Sequence, residues 1–322
     1  MRSKVVAGYI ARRSDAPLTV AAFAGIYLIW GTTYLATAFA IRSLPPFAIG
    51  ATRFLATGAL MYLWLRSREA RPFDGLDKGA TMLCGVLMSG VGNGLAMWAQ
   101  QGLPSGVTAL FIASLPMFIL VLDWLFFSRR PPAGMAALGV VLGLAGVVVL
   151  TTHSHGLSGQ VHPIHIVAVT LAELAWAVAT LLQRRHVPPG RIANFTCLQL
   201  LTAGGFQLIA ALLDREWLGF SFSQVLWSSV FAVAYLAVFG TLIANNCYTY
   251  LIAHVPAQKV STYALVNPVI ALALGAVILG ERITPATVTA SALVLAGVAL
   301  VLIQGVRQRR KLLRNRWSNT LE

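Results

Sequence analysis

Long apolar stretches alternate with short polar ones along the chain, and the apolar stretches share a common length. A helix of about 20 apolar residues, range about 17–25, crosses the hydrocarbon core of a bilayer. Measured against that length, the sequence predicts ten helical spans. The first five are 18–41, 46–65, 79–100, 107–127 and 133–150, and the second five are 164–182, 192–213, 225–253, 260–279 and 285–303. The first run follows Arg2, Lys4, Arg12 and Arg13 as a secretory signal would. It is too long for one, and a second span follows at once, so it reads as an uncleaved first helix.

The polar stretches carry an orientation. With the N-terminus inside, inner segments hold 20 of the 24 Lys and Arg residues, outer segments hold Arg42, Arg215 and Arg282, and Arg53 alone lies within a span. Inner loops gather basic residues, so both termini are expected in the cytoplasm. Composition agrees: 57% of the 322 residues are hydrophobic and 11% charged, with a formal net charge of +14. A soluble enzyme of this size would have too few polar groups to cover its surface. The basic excess is spread over six inner segments rather than gathered on one face, which argues against nucleic-acid binding. The basic run 307–316 is a stop signal with a solvated tail, and it also suits contact with anionic lipid. Cys84, Cys197 and Cys247 lie inside apolar runs without a CxxC pair, so they read as small core residues rather than as disulfides or metal ligands.

An internal repeat sets the architecture. A shift of 152 places Asn93 on Asn245, Trp98 on Tyr250, Pro104 on Pro256 and Pro116 on Pro268, and Ser128-Arg129-Arg130 on Gly280-Glu281-Arg282. A shift of 146 places Trp30 on Trp176, Arg53 on Gln199 and Gly58 on Gly204. Each repeat holds five spans, and because five is odd, two sequential copies cross the membrane in opposite senses. The expected fold class is therefore an all-α integral membrane protein of ten transmembrane helices in two inverted five-helix repeats. Its parts are an N-terminal tail (1–17), a first repeat (18–150), an outer loop with histidines (151–163), a second repeat (164–303) and a basic cytoplasmic tail (304–322).

Several motifs resemble those of the drug/metabolite transporter superfamily, specifically its EamA-type ten-span exporters. They are Arg53-Phe54, the Leu-Ala-Trp-Ala stretch beginning at Leu174, Asn267-Pro268, Leu279-Gly280-Glu281-Arg282, and the Leu-Ala-Gly-Val endings beginning at Leu144 and Leu295. The resemblance spans about residues 19–305. It implies an exporter, in the bacterial inner membrane, of small metabolites, amino acids or similar, or of drugs. Two departures stand out: Ser128-Arg129-Arg130 where the family often has Gly-Glu-Arg, and Glu173 where it usually has an apolar or small residue.

Charged groups inside a membrane are costly and mark functional positions. Glu173 lies near the middle of the sixth span, with Trp176 and Thr180 on the same helical stripe. It is either a cavity carboxylate, binding an amine or a proton, or a neutral acid clasping a neighbouring helix. For Arg53 a structural role, bonding backbone carbonyls or a Pro-broken helix, is preferred over substrate contact. Asp123 is expected to pair locally with Arg129 and Arg130. Three stripes extend the candidate cavity: Tyr27, Trp30 and Tyr34 in the first span, Asn93, Met97 and Gln100 in the third, and Asn245 with Tyr248 in the eighth. Trp30 and Trp176 sit mid-span, where an aromatic belt would not place them. Pro116 and Pro268, at equivalent depths, are either gating hinges or static kinks. Gly139 and Gly143 allow close helix approach, for packing more than for dimer formation, and the chain is read as monomer or homodimer.

His153, His155, His162 and His165 lack a completing carboxylate or thiolate, so no metal site is assigned, and no cofactor is expected. HExxH, GxSxG and the Walker A pattern are missing, which argues against an enzyme and against ATP drive. The functional reading is a secondary transporter working by alternating access on a small molecule, with protons as a candidate coupling ion. A passive channel or facilitator is the alternative. The topology is directly testable: a periplasm-active reporter fused after Arg316 is expected to be silent, and activity there would overturn the inside assignment.

Overall fold

A computed structural model of the chain describes residues 16–129, 131–132, 134–152, 162–218, 220–255 and 257–318. Among them the regular structure is helical throughout. In chain order the apolar helical segments are α1 (Ala16–Ala40), α2 (Pro46–Arg66), α3 (Lys78–Ala99), α4 (Ser105–Phe126), α5 (Met135–Leu150), α6 (Pro163–His186), α7 (Pro189–Leu213), α8 (Trp227–His254), α9 (Tyr263–Leu279) and α10 (Pro285–Gly305). Eight are long and apolar enough to cross a membrane, while α5 and α9 are shorter. Helix α10 continues beyond its apolar part to Ser318, so the tail expected from residue 304 begins as a prolongation of the last helix.

Local chemistry explains the starts. Proline at the first helical position gives up an N–H that would have had no partner and presets φ. Pro46 and Pro163 occupy such positions in α2 and α6. Helix α3 starts instead on Asp77, whose carboxylate accepts from the Ala80 N–H at 3.1 Å. Prolines expected inside helices behave differently from one another. Pro268 lies within a continuous α9. Pro116 does not: α4 breaks at Ser114, whose hydroxyl bonds the Phe111 carbonyl at 2.6 Å, and Pro116 sits in the first turn of the piece that follows.

Cross-links between segments define two ends of the bundle. The Ser229 hydroxyl donates to the Phe39 carbonyl at 2.7 Å, and the Leu226 N–H to the Ser43 hydroxyl at 3.0 Å, which joins the finish of α1 to the start of α8. This is called the far end. At the near end, where α1 starts, the Tyr27 and Thr262 hydroxyls meet and tie α1 to the approach to α9. His153, His155 and Arg130 lie outside the described residues. His165 stacks on Trp98 with ring centroids 4.6 Å apart.

Without a hydrophobic drive between helices in lipid, close packing rests on small residues that let backbones approach. Gly58 and Gly204 let α2 and α7 cross; a Cβ on Gly204 would lie 2.8 Å from the Leu55 backbone nitrogen. Gly139 of α5 and Gly297 of α10 face each other so closely that a Cβ on either would lie 2.5 Å from the other's carbonyl oxygen. The Gly139 stripe thus serves packing within the chain. Gly297→Val should cost about 1–3 kcal/mol through overpacking and lower the melting temperature of detergent-purified protein. Gly205→Ala, where nothing lies within 4 Å, should leave it unchanged, and equal behaviour of the two would refute the tight crossing.

Candidate functional site: a buried polar cavity

The centre of the bundle holds a cavity with about 770 Å³ of space between atoms, its open mouth included. Its walls come from α1, α2, α3, α6, α8 and α9, with Ile112 of α4. Irregular backbone shapes these walls. Helices α3 and α8 pass through π-helical stretches, Val86–Gly92 and Leu236–Ile243, and α1 through Gly25–Ile29. A π turn inserts a residue and re-aims the side chains after it. Asn93 follows the α3 stretch at once, Asn245 stands two residues past the α8 stretch, and Trp30 follows that of α1; all three face the cavity.

π turns also release carbonyl groups, which in lipid must be met within the protein. The Gln207 amide of α7 donates to the carbonyls of Ser89 (2.7 Å) and Gly90 (3.1 Å) in α3. The Trp30 indole N–H donates to the Gly240 carbonyl in α8 at 3.2 Å.

Charge enters from two sides. Arg53 of α2 is 5% exposed and donates through Nη2 to the Asn93 side-chain oxygen at 3.0 Å, while its Nε has no partner. Its partner is thus a side chain on α3, where the sequence suggested backbone carbonyls or a Pro-broken helix. Glu173 of α6 is 2% exposed, and its Oε2 has no hydrogen-bond partner. One turn on, the Trp176 indole N–H is likewise buried and unpartnered, as is the Gln100 carbonyl oxygen in α3. All four groups belong to residues that line the cavity.

An aromatic cluster fills the near side. Trp30 packs on Trp176, Tyr248 and Tyr263 with ring centroids 5.9, 5.2 and 5.3 Å away, the Trp176 and Tyr263 contacts edge-on. Below it, Tyr248 shares a 3.0 Å hydrogen bond with Thr180, and Thr249 accepts from Gln183 and Thr196, both at 3.2 Å. In the other direction the lining reaches Thr37, Met97 and Gln100, at the far ends of α1 and α3.

Of the residues expected from the sequence, Trp30, Tyr34, Arg53, Asn93, Met97, Glu173, Trp176 and Asn245 line one cavity. Tyr248 lies beneath it, packed on Trp30 and 2% exposed. Pro116 is not part of the lining, whereas Pro268 follows Asn267, which is. Thr33, Thr241 and Tyr263 line the cavity without having been singled out, and so does Asn267, noted in the sequence only for its motif with Pro268. With its nitrogen turned toward α1, the Asn267 amide reaches the Tyr27 carbonyl at 3.0 Å and that of Tyr263 at 3.3 Å. The proline next to it was the signal that could have found it.

A helical bundle rich in membrane-crossing segments around a buried, partly charged cavity has the architecture of a membrane transporter. The chain belongs to the EamA-like transporter family, whose profile matches residues 18–152 and again 163–303. It is similar to YedA of Escherichia coli K12, named as an uncharacterized inner membrane transporter, with 34% identity over 291 residues covering 89% of this chain and 91% of YedA. A protein of Salmonella typhimurium LT2, named as a probable amino-acid metabolite efflux pump, is 26% identical over 88% of this chain and 94% of its own length. One crystal structure shares the fold with a TM-score of 0.64 at 21% identity, covering 92% of this chain and 99% of that one. The protein is accordingly a membrane transporter, acting on small molecules from within a lipid bilayer.

The Trp30–Gly240 bond is open to test. Trp30→Phe keeps a ring but leaves a buried carbonyl unmet, at about 1–3 kcal/mol. Thermal unfolding in detergent should show that loss, and an unshifted transition would mean the α8 carbonyl does not depend on Trp30.

Proposed function

We propose that the chain is a secondary active exporter of small amphoteric solutes, amino acids or close relatives, which works by alternating access of the central cavity. The observation that carries this reading is the set of buried polar atoms without hydrogen-bond partners on residues that line one cavity: acceptors at Glu173 and Gln100, donors at Arg53 and Trp176. Leaving such atoms unmet is expensive, which favours a ligand that brings a donor for the carboxyl and an acceptor for the guanidinium. Aromatic walls suit its apolar body. The name of the Salmonella relative, an amino-acid metabolite efflux pump, points to the same class.

The mechanism rests on two inverted repeats. In this reading all ten apolar segments cross the membrane, five to a repeat, with both termini cytoplasmic, and two sequential copies then run in opposite senses. Support comes from the two family matches, one to each half, and from the π-helical stretches of α3 and α8, which nearly superpose at the offset of 152 that relates Asn93 to Asn245. Glu173 takes the amine of the solute or a proton in exchange, giving a route for coupling to the proton gradient.

The test is flux in proteoliposomes over a panel of amino acids, purines and cationic drugs. Saturable, gradient-coupled flux is expected, whereas non-saturable flux would favour a passive channel. Glu173→Gln should reduce transport at least tenfold or free it from its pH dependence while insertion persists. An unchanged rate and pH profile would remove Glu173 from the mechanism.

A further inference from the structure

Three carboxylates tie the two halves of the chain together. At the far end Glu216, just past α7, accepts from the backbone N–H groups of Phe47 (2.9 Å) and Ala48 (2.7 Å) in the first turn of α2. Also there, Glu281, just past α9, accepts from the N–H groups of Ser105 (2.7 Å) and Gly106 (3.1 Å) in the first turn of α4. At the near end Glu69, just past α2, meets Arg191 at 2.7 Å and the Asn194 amide, where α7 begins. Carboxylates on N–H groups at a helix start are charge-assisted and favoured by the helix dipole.

The Glu281 contact has dedicated backbone. Gly280, with φ 69°, turns the chain out of α9, and the Glu281 N–H returns to the Gly275 carbonyl at 3.0 Å. Gly275 leaves room for the carboxylate: a Cβ there would lie 2.4 Å from a Glu281 oxygen.

The repeat offsets reveal an asymmetry. Moving Glu216 back by 147 gives Glu69, and moving Phe47 and Ala48 forward by 146 gives Ala193 and Asn194. Both repeats therefore place a carboxylate at the α2/α7 junction, Glu216 on backbone N–H groups and Glu69 on the Arg191 and Asn194 side chains. Moving Glu281 back by 152 gives Arg129, and moving Ser105 and Gly106 forward gives positions 257 and 258. Arg129 is exposed, with Arg130 after it, and an arginine has no acceptor to offer an N–H. Among the described residues the α4/α9 clasp appears in one version.

In an inverted-repeat transporter the two repeats exchange conformations to reach the opposite-facing state. That exchange keeps a carboxylate at each α2/α7 junction, but it replaces the Glu281 contact with Arg129 facing the N–H groups at 257 and 258. We propose that Glu281 and Arg129 are gating residues: α2 and α7 form a frame tied at both ends, while the α4/α9 pair is latched by Glu281 in the state seen here and left unlatched by Arg129 in the opposite one, so that the resting transporter favours the present state. The proposal rests on the alternating-access reading above.

Thiol labelling of the purified full chain in nanodiscs tests it. The background carries Cys84→Ala, Cys197→Ala and Cys247→Ala. Thr249→Cys reports the near side, where residue 249 is 2% exposed beneath the aromatic cluster, and Thr37→Cys reports the far side of the cavity. Glu281→Gln and Arg129→Glu should each speed maleimide labelling at 249 about tenfold and slow it at 37, as a population shift requires. Glu216→Gln, on the frame, should leave the ratio of the two rates within about twofold. Rates that rise together at both positions would mean a loosened fold and overturn the proposal. So would an equal response to Glu216→Gln, or labelling at 249 that proceeds but ignores both gating substitutions. No labelling at 249 in any of these proteins would instead overturn alternating access, and the gate with it.

Discussion

Carbonyl groups released from regular helix have no water to turn to in a lipid medium, and this bundle is arranged around meeting them. Helices α3 and α8 bend out of α geometry beside the cavity, and Gln207 and Trp30 reach across from α7 and α1 to satisfy what is released. These bonds hold the walls together in pairs. They also fix where Asn93 and Asn245 point, and through Asn93 they fix the Arg53 guanidinium. A polar cavity inside an apolar bundle is thus a by-product of irregular helices that the protein has completed from within.

Polar side chains divide into two kinds as a result. Gln207, Trp30 and Asn267 spend their donors on backbone, while Glu173, Trp176 and Gln100 keep polar atoms unspent beside the same space. Trp30 and Trp176 fall on opposite sides of this division, the one bonded to backbone and the other not. The aromatic cluster on the near side and the polar lining toward Thr37 and Gln100 express the same inequality in packing.

Much of this was legible in the sequence, because membrane burial writes itself into run length. The apolar segments lie within a few residues of their expected limits, and the cavity residues at helical spacing, Asn93, Met97 and Gln100 among them, do share a wall. Long-range partners were not legible. Nothing in the local sequence joins Arg53 to Asn93 across 40 residues, tells Glu216 from an ordinary loop charge, or shows which helix Glu281 meets. The π turns escaped notice as well, since one inserted residue hardly disturbs a run that is apolar all round. Proline announces a break without fixing its place: near Pro116 the break fell at Ser114, where a hydroxyl could satisfy it.

Helix α10 has a further consequence. Its 34 residues span about 51 Å at 1.5 Å each, well beyond a hydrocarbon core of about 30 Å. The excess projects as a stiff rod, seated on α5 through the Gly139–Gly297 crossing. A small tilt of that helix pair inside the bilayer would become a larger sweep at Ser318, which makes the end of the rod a mechanical pointer to motions deep in the membrane.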